Sequence, residues 1–357
     1  MSGTTTLSHV RSGTPPPGSR RNYFIATKRR VARHAPQRCA NMLGVRPMAG
    51  KILSYDAPST EEIAQRVGLP VDEIIRFDGN TSPHLLPSTR AEALAQELAR
   101  IHTYPHGGYP RLEEAIARYA GVSKENIVLG AGADDLILLV TRAFAGPGDR
   151  VAISNDPTYP MFQIAVWVAG AEIGDEDPVL TICCRPNNPT GELGDLPSSR
   201  PLVVDEAYFE YAGETAAGLI DDGVIVLRTF SKVFGLAGAR VGYALAGREV
   251  AGELNQRQHP APLSTLSAAL AVAALQSPPD VRPILEERER FAARLRGLGY
   301  EPLPSHANFL CLPVEDPEGI ADQLLNRGLA VRPVRAGIRI TIRNEQDDER
   351  LIAVLSG

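Results

Sequence analysis

What this sequence has little of narrows its class first. Cysteine is scarce: Cys39, Cys183, Cys184 and Cys311 are all there is in 357 residues. Cys183 and Cys184 are adjacent in an apolar stretch, and no C-x-x-C pair occurs. That pattern argues against a disulfide framework and a structural zinc site, and for a reducing compartment, the cytoplasm. No residue set is assigned to a metal. No apolar run is long enough to span a bilayer, so no membrane partner is expected. Charge of one sign is also missing: 37 Lys and Arg stand against 42 Asp and Glu, a net charge of -5. So mild a balance gives no support for nucleic acid as the main partner. Internal repeats are absent, and low complexity is confined to the first fifty residues.

Those first fifty, Met1 to about Gly50, are rich in Ser, Thr, Pro and Arg, with a basic run at Arg20-Arg21 and Lys28-Arg29-Arg30. Their composition resembles a transit peptide. A disordered tail, or a start at Met42 or Met48, explains them more simply. The remaining length exceeds what one hydrophobic core usually holds, so two lobes are expected. Residues 51–80 read as an N-terminal arm, 81–277 as the large domain and 278–357 as the small one.

Ser59 followed by Glu62 predicts a capped helix through Val67. Ile74-Ile75-Arg76-Phe77 is a short extended run that ends in a turn, Asp78-Gly79-Asn80. Helices are expected over Ala91–Ile101 and Leu112–Ala120, joined by a rigid loop, Tyr104-Pro105-His106-Gly107-Gly108-Tyr109-Pro110. Strands and helices then alternate. Ile127–Leu129, Val151–Ile153, Leu180–Cys184, Pro201–Val204 and Val224–Leu227 are short apolar runs of strand length. Asp134–Ala145 and Phe162–Ala169 are helical between them. This βα order predicts an α/β fold with a mostly parallel central sheet between helices. After Gly242 the pattern changes to a smaller α+β lobe. Its helices are Leu263–Leu275, Val281–Leu298, Gly319–Arg327 and Asp347–Leu355; its extended runs are Asn308–Leu312, Leu329–Pro333 and Ile338–Ile342.

Polar clusters fall at the carboxyl ends of the predicted strands, where such sheets bind ligands. Gly130-Ala131-Gly132-Ala133-Asp134-Asp135 joins a strand to a helix. It has neither the sixth-position Gly or Ala of a dinucleotide fingerprint nor the Gly-Lys-Ser/Thr of a P-loop. Its small residues and free helix N–H groups can cradle a phosphate, though a tight turn with acidic caps explains it as well. Asp205 closes an apolar run, and a buried carboxylate needs a partner such as a protonated ring nitrogen or a cation. Tyr208 can donate to a ligand oxygen or simply pack. Asn188-Pro189-Thr190-Gly191 is a rigid turn, and Tyr159 can lie flat on an aromatic ring. Lys232 follows Ser231 at the end of an apolar run, with Arg240 eight residues on. A lysine kept neutral by desolvation and nearby cations can form a Schiff base. Together these clusters describe one cofactor, pyridoxal 5'-phosphate.

Three motifs carry a resemblance. Asn187 to Gly191, Val204 to Tyr208 and the long Arg228-Thr-Phe-Ser-Lys-Val-Phe-Gly-Leu-Ala-Gly-Ala-Arg-Val-Gly-Tyr243 resemble those of the fold type I pyridoxal-phosphate enzymes, the aspartate-aminotransferase superfamily. Within it the chain is similar to the histidinol-phosphate aminotransferase family, from about Lys51 to Gly357. Ser305-His-Ala-Asn308-Phe309 and Arg339-Ile-Thr341-Ile also match.

The resemblance implies an aminotransferase that takes an amino group from glutamate and gives it to a keto acceptor, imidazole-acetol phosphate, in histidine biosynthesis. Aromatic amino-acid transamination and threonine-phosphate decarboxylation remain open on the same motifs. A non-enzymatic regulator would need a helix-turn-helix domain, for which the first fifty residues are too short. By matching positions, Lys232 would carry the cofactor and shuttle the proton. Asp205 would pair with the ring nitrogen, Asn188 and Tyr208 with the ring oxygen, and Tyr159 with the ring face. Ala133, Asp134, Ser231 and Arg240 would hold the phosphate. Tyr104 would reach it from the neighbouring subunit of a homodimer with a shared active site. Tyr55, Asn80, Arg332 and Arg339 would contact substrate. The chain departs from the family at Asn80-Thr81-Ser82-Pro83, in a short stretch from Glu172 to Leu202, and in a short loop between Arg332 and Arg339.

Overall fold

The computed structural model describes residues 58–82, 94–95 and 97–357. Tyr55, Cys39, the first fifty residues and part of the 91–101 stretch lie outside these; within that stretch, 94–95 and 97–98 are helical.

Local sequence accounts for the first element, α1 (Thr60–Val67). Ser59 Oγ accepts the Glu62 N–H at 3.1 Å, and Glu62 Oε2 accepts the Ser59 N–H at 2.8 Å. This reciprocal capping satisfies two of the orphan donors at the helix start. Strand β1 (Ile75–Arg76) follows.

The main body is a seven-stranded sheet. Its strands are β2 (Ile127–Gly130), β3 (Arg150–Ile153), β4 (Glu172–Ile173), β5 (Leu180–Cys184), β6 (Leu202–Asp205), β7 (Val224–Thr229) and β8 (Gly242–Leu245), in the spatial order β2-β8-β7-β6-β5-β3-β4. All pairings are parallel except those of β8, which runs antiparallel to both neighbours. The central strands β5, β6 and β7 are buried along their whole length. Their alternating side chains feed two cores. Val204 and Val226 pack with Leu112 and Ile116 of α2 (Pro110–Ala120) and with Ala271 and Ala274 of α7 (Thr265–Gln276). Val203 and Ile225 pack with Leu136 and Val140 of α3 (Ala133–Phe144), Phe162 and Val166 of α4 (Met161–Ala169), and Leu254 of α6 (Arg248–Arg257). A short helix, α5 (Phe209–Ala212), follows β6. Strands buried on both faces are why these runs read as continuous apolar stretches. Each such side chain contributes roughly 1.5–3 kcal/mol on burial.

A second sheet, order β11-β12-β9, is antiparallel: β9 (Phe309–Leu312), β11 (Arg332–Val334) and β12 (Gly337–Thr341). Around it lie α8 (Arg282–Gly297), α9 (Pro317–Leu325) and α10 (Glu345–Leu355). β10 (Leu329–Ala330) pairs in parallel with β1. The chain after β1 stays bound to this region: Phe77 N–H donates to Ala330 O at 2.7 Å, and Thr341 N–H to Phe77 O at 2.8 Å. These bonds place Asp78, Gly79 and Asn80 beside β12.

The structure corrects three sequence expectations. Leu329–Pro333 is not one strand; it divides at Val331, its first half pairing with β1 and its second with β12. β4 and β8 are strands that apolar periodicity did not mark. β8 begins at Gly242 because nothing larger fits: a Cβ there would lie 2.8 Å from Gly132 C and 2.9 Å from Arg228 O. A glycine at the head of so short an apolar run, Tyr243-Ala244-Leu245, masks the strand.

Candidate active site

The carboxyl ends of β2, β5, β6 and β7 converge with the 77–80 segment and the β11–β12 hairpin. Lys232 lies just past β7 and is half-buried. Its Nζ donates to Gly79 O at 3.4 Å and sits 5.6 Å from the centre of the Tyr208 ring. Burial, and then the Arg339 cation, pull its pKa down to about 8, against the opposing pull of Asp134 and Asp205. The amine thus gives up its proton far more readily than an ordinary lysine.

Asp205 ends β6 and is 3% exposed. Its Oδ1 accepts the Ala207 N–H at 3.1 Å. Burial pushes its pKa up to about 7 even though that N–H pulls it down. A carboxyl so placed keeps its charge readily only when a cation comes to it.

Tyr208 is buried, packed edge-on against Phe309 at 5.2 Å, and its phenol oxygen accepts from Asn80 Nδ2 at 3.0 Å. Asn80 has a positive φ of 51°. It is fixed there by Thr341: the Asn80 N–H donates to Thr341 Oγ1 at 2.9 Å, and Asn80 Oδ1 lies 3.1 Å from the same hydroxyl. Asn308 Nδ2 donates to Asn80 O at 3.2 Å. Asn80 therefore acts on Tyr208 first, as a residue that orients the phenol. Thr341 and Asn308 were not singled out as site residues in the sequence. Thr341 could have been, because it is two residues from Arg339 on one strand and so shares its face.

Asn188 is buried, and its Oδ1 accepts from Arg339 Nη1 at 2.6 Å. Arg339 Nη2 donates to Asp78 O at 2.5 Å. The preceding Asn187 holds the neighbouring loop, with Nδ2 donating to Pro157 O at 3.0 Å and Oδ1 accepting from Thr158 Oγ1 at 2.7 Å. Arg332 is the direct partner of Arg339 across β11–β12. Two cations facing each other on one side of a ladder favour an anion between or beside them.

At the start of α3, Gly132 takes the N-cap position with φ 86° and no side-chain cap. A Cβ there would come within 2.6 Å of Arg240 Nη2. The glycine lets the guanidinium approach the helix N-terminus. Arg240 Nη2 donates to Asp134 Oδ2 at 3.1 Å, and Nη1 to Ser231 Oγ at 3.5 Å. Tyr159 OH donates to Asp134 Oδ1 at 2.9 Å. Ala133, Asp134, Tyr159, Ser231 and Arg240 are thus one cluster. Tyr104 stands apart: it is 80% exposed, its ring edge-on to His106.

These residues fit pyridoxal phosphate on the chemistry of their donors. A glycine-opened helix N-terminus beside Arg240 and Ser231 suits a dianionic phosphate. A lysine with a lowered pKa suits an aldehyde, and a buried carboxyl in want of a cation suits a pyridinium. Among the described residues no group of His, Cys, Asp or Glu could hold a metal ion, and no helix is long and apolar enough to cross a membrane. Cys183, Cys184 and Cys311 are free thiols, all buried.

Comparison with known proteins agrees with this chemistry. The family model for aminotransferase class I and II matches residues 72–175 and 173–355. The histidinol-phosphate aminotransferase of Caldanaerobacter subterraneus is 35% identical over 322 residues, covering 78% of this chain and 92% of its own. Histidinol-phosphate aminotransferase 2 of Archaeoglobus fulgidus is 32% identical, covering 80% and 93%. The crystal structure of histidinol-phosphate aminotransferase from Sinorhizobium meliloti, in complex with pyridoxal-5'-phosphate, superposes with a TM-score of 0.74 at 26% identity. It covers 86% of this chain and 97% of that one.

Proposed function

The chain belongs to the class I and II aminotransferases, and from that premise we propose that it moves the amino group of glutamate to imidazole-acetol phosphate, giving histidinol phosphate. The names of its relatives support histidinol phosphate as the amino compound. One observation carries the chemistry: the Lys232 amine, its pKa lowered to about 8 by burial and by Arg339, lies within reach of the charge of buried Asp205, and Arg339 pairs with Arg332 across its hairpin.

Pyridoxal phosphate, when bound, supplies an aldehyde and an electron-withdrawing ring that stabilises negative charge at the substrate α-carbon. Lys232 would hold the aldehyde. Asp205, its Oδ1 anchored by Ala207 N–H, would pair with the ring nitrogen. Asn188 and Tyr208, oriented by Arg339 and Asn80, would bind the ring oxygen, and Tyr159 the ring face. The N–H groups of Ala133 and Asp134, with Ser231 and Arg240, would hold the phosphate. Lys232 Nζ is then the base for the α-proton, because a neutral amine with a pKa near the working pH both takes and returns a proton. Arg332 and Arg339 would bind the substrate's anionic end, their planar forks matching carboxylate or phosphate. Phe309 against Tyr208 shields that side of the pocket from water.

A homodimer and a cytoplasmic location belong to the same reading. Exposed Tyr104 is free to serve a neighbouring subunit. Beside it, α2 and α7 flank a groove of about 520 Å³ lined in part by Pro105, Tyr109, Ala268 and Val272. Residues 51–80 are proposed as the arm, 81–277 as the large domain and 278–357 as the small one.

The test is a half-reaction panel on purified enzyme. Glutamate should bleach the cofactor's visible absorbance, and imidazole-acetol phosphate should restore it faster than phenylpyruvate does. Restoration by phenylpyruvate alone, or carbon dioxide release from threonine phosphate, would replace this substrate assignment.

A further inference from the structure

The short hairpin between Arg332 and Arg339 carries a third arginine. β11 and β12 pair as Arg332 with Arg339, Pro333 with Ile338 and Val334 with Gly337. The turn is therefore the two residues Arg335 and Ala336. Arg335 reaches back over the sheet's carboxyl edge: its Nη1 lies 3.1 and 3.0 Å from the two carboxylate oxygens of Asp156. Asp156 sits in the β3–α4 loop, between Asn155 and Pro157, whose carbonyl oxygens both accept from Asn187 Nδ2, at 3.4 and 3.0 Å. The next residue, Asn188, takes Arg339 of the same hairpin. Two neighbouring bridges thus tie the hairpin to the cofactor side of the site. They differ in burial. Arg339 is 7% exposed, whereas the side chains of Arg335 and Asp156 are 71% and 54% exposed.

We propose that Arg335 and Asp156 set the charge selectivity of the substrate pocket, Asp156 acting as a built-in anion that a substrate's anionic tail replaces on Arg335. The inference rests on the aminotransferase reading of the site. Arg335 is the outermost of three arginines on one hairpin, and the other two face each other across its strands. An anionic tail drawn toward that pair meets Arg335 at the rim. The exposed bridge is worth a factor of about five or less in an equilibrium, so an incoming carboxylate or phosphate can displace it. An uncharged tail has nothing to offer the guanidinium and leaves the bridge closed. Asp156 therefore weakens binding of anionic tails in general, and Arg335 favours them over apolar ones. The two residues work in opposite directions, which separates this role from simple support of the hairpin. If they only held the loops together, removing either would have the same effect.

The experiment measures kcat/KM for glutamate and for phenylalanine as amino donors, on holoenzyme, in wild type and in Arg335→Gln, Arg335→Lys and Asp156→Asn. The ratio of glutamate to phenylalanine should fall about tenfold in R335Q, the loss of a charge-assisted hydrogen bond. It should rise up to about fivefold in D156N, and R335K should lie between wild type and R335Q. Inorganic phosphate, titrated calorimetrically, should bind more tightly to D156N and more weakly to R335Q than to wild type. A ratio unmoved in R335Q, or moved in the same direction by R335Q and D156N, overturns the proposal. Wild-type inactivity with histidinol phosphate would instead remove the substrate assignment, while the glutamate-to-phenylalanine ratio would still decide this one.

Discussion

Lys232 is the place where the structure makes its most quantitative demand. Its pKa of about 8, against 10.5 for a free lysine, leaves roughly a tenth of the amine neutral at pH 7. That is a gain of about two to three orders of magnitude over an ordinary lysine. Cofactor-free enzyme labelled competitively with trace acetic anhydride, then digested and read by mass spectrometry, reports that fraction directly. The chain has four lysines, Lys28, Lys51, Lys124 and Lys232, so the peptides are easily told apart. Lys124, half exposed beside Glu114, is a surface reference. The labelling profile of Lys232 should turn over near pH 8. Arg339→Gln removes the second-largest cause of the depression, so its midpoint should move up, with a tenfold loss of neutral amine at pH 7 for each unit of rise. The same shift acts on stability. Between pH 8 and 10.5 the unfolded chain holds more protons at this site than the folded one, so the penalty is full below that window and vanishes above it. It amounts to about 3 kcal/mol at neutral pH. Lys232→Met should therefore melt higher than wild type when both lack cofactor. A Lys232 midpoint above 10, or one unmoved in R339Q, would refute the argument that burial and Arg339 set this amine.

Other positions give sharp outcomes. Gly242→Ala forces a methyl to within 2.8 Å of Gly132 C and 3.0 Å of Ala133 N. It should cost about 1–3 kcal/mol in thermal unfolding and weaken pyridoxal-phosphate retention, because the crowded atoms form the helix N-terminus of the cradle. Glu206→Gln breaks a fully buried ion pair in which Glu206 Oε2 lies 3.0 Å from Arg228 Nη2 and Oε1 accepts the Ala216 N–H. Denaturant unfolding should show a loss of about 3–5 kcal/mol, the cost of an uncompensated buried charge. Asp348 is fully buried on α10, its pKa pushed up to about 9 by burial and by Glu287 of α8. Its folded pKa lies above the unfolded value of 3.8, so its contribution is full only below that value and is lost progressively as pH rises from there to about 9. Asp348→Asn removes that slope, and its melting temperature relative to wild type should climb from pH 6 to pH 10.

Much of the site was legible before the fold was known. The motifs around Asn188, Asp205 and Lys232 sit at strand ends, and in a parallel sheet strand ends meet at one edge. Apolar runs marked β5, β6 and β7 because burial on both faces favours apolar residues at successive positions. The hidden parts follow a different logic. β8 was missed although Tyr243, Ala244 and Leu245 are buried, because the strand is short and begins at Gly242, which reads as a turn residue. Asn80 opened a segment, Asn80-Thr81-Ser82-Pro83, that departs from the family pattern after its first residue, yet the Asn80 side chain orients Tyr208, a pairing between residues 128 positions apart. Arg335 carried no motif at all; only the two-residue turn and the nearness of Asp156 give it meaning.

The sequence by itself determined which chemical groups are available, and in what local setting: a lysine after a serine at a strand end, an acid closing an apolar run, glycines at a helix start, arginines in an extended run. Those are matters of neighbours along the chain. The tertiary structure decided the charges and the partners. Lys232 titrates well below an ordinary lysine because strands and loops from distant segments partly bury it and bring Arg339 beside it. Arg335 faces Asp156 because a hairpin folds back over the sheet's edge. Desolvation and Coulomb interaction depend on distances through space, and those distances exist only once the chain has folded.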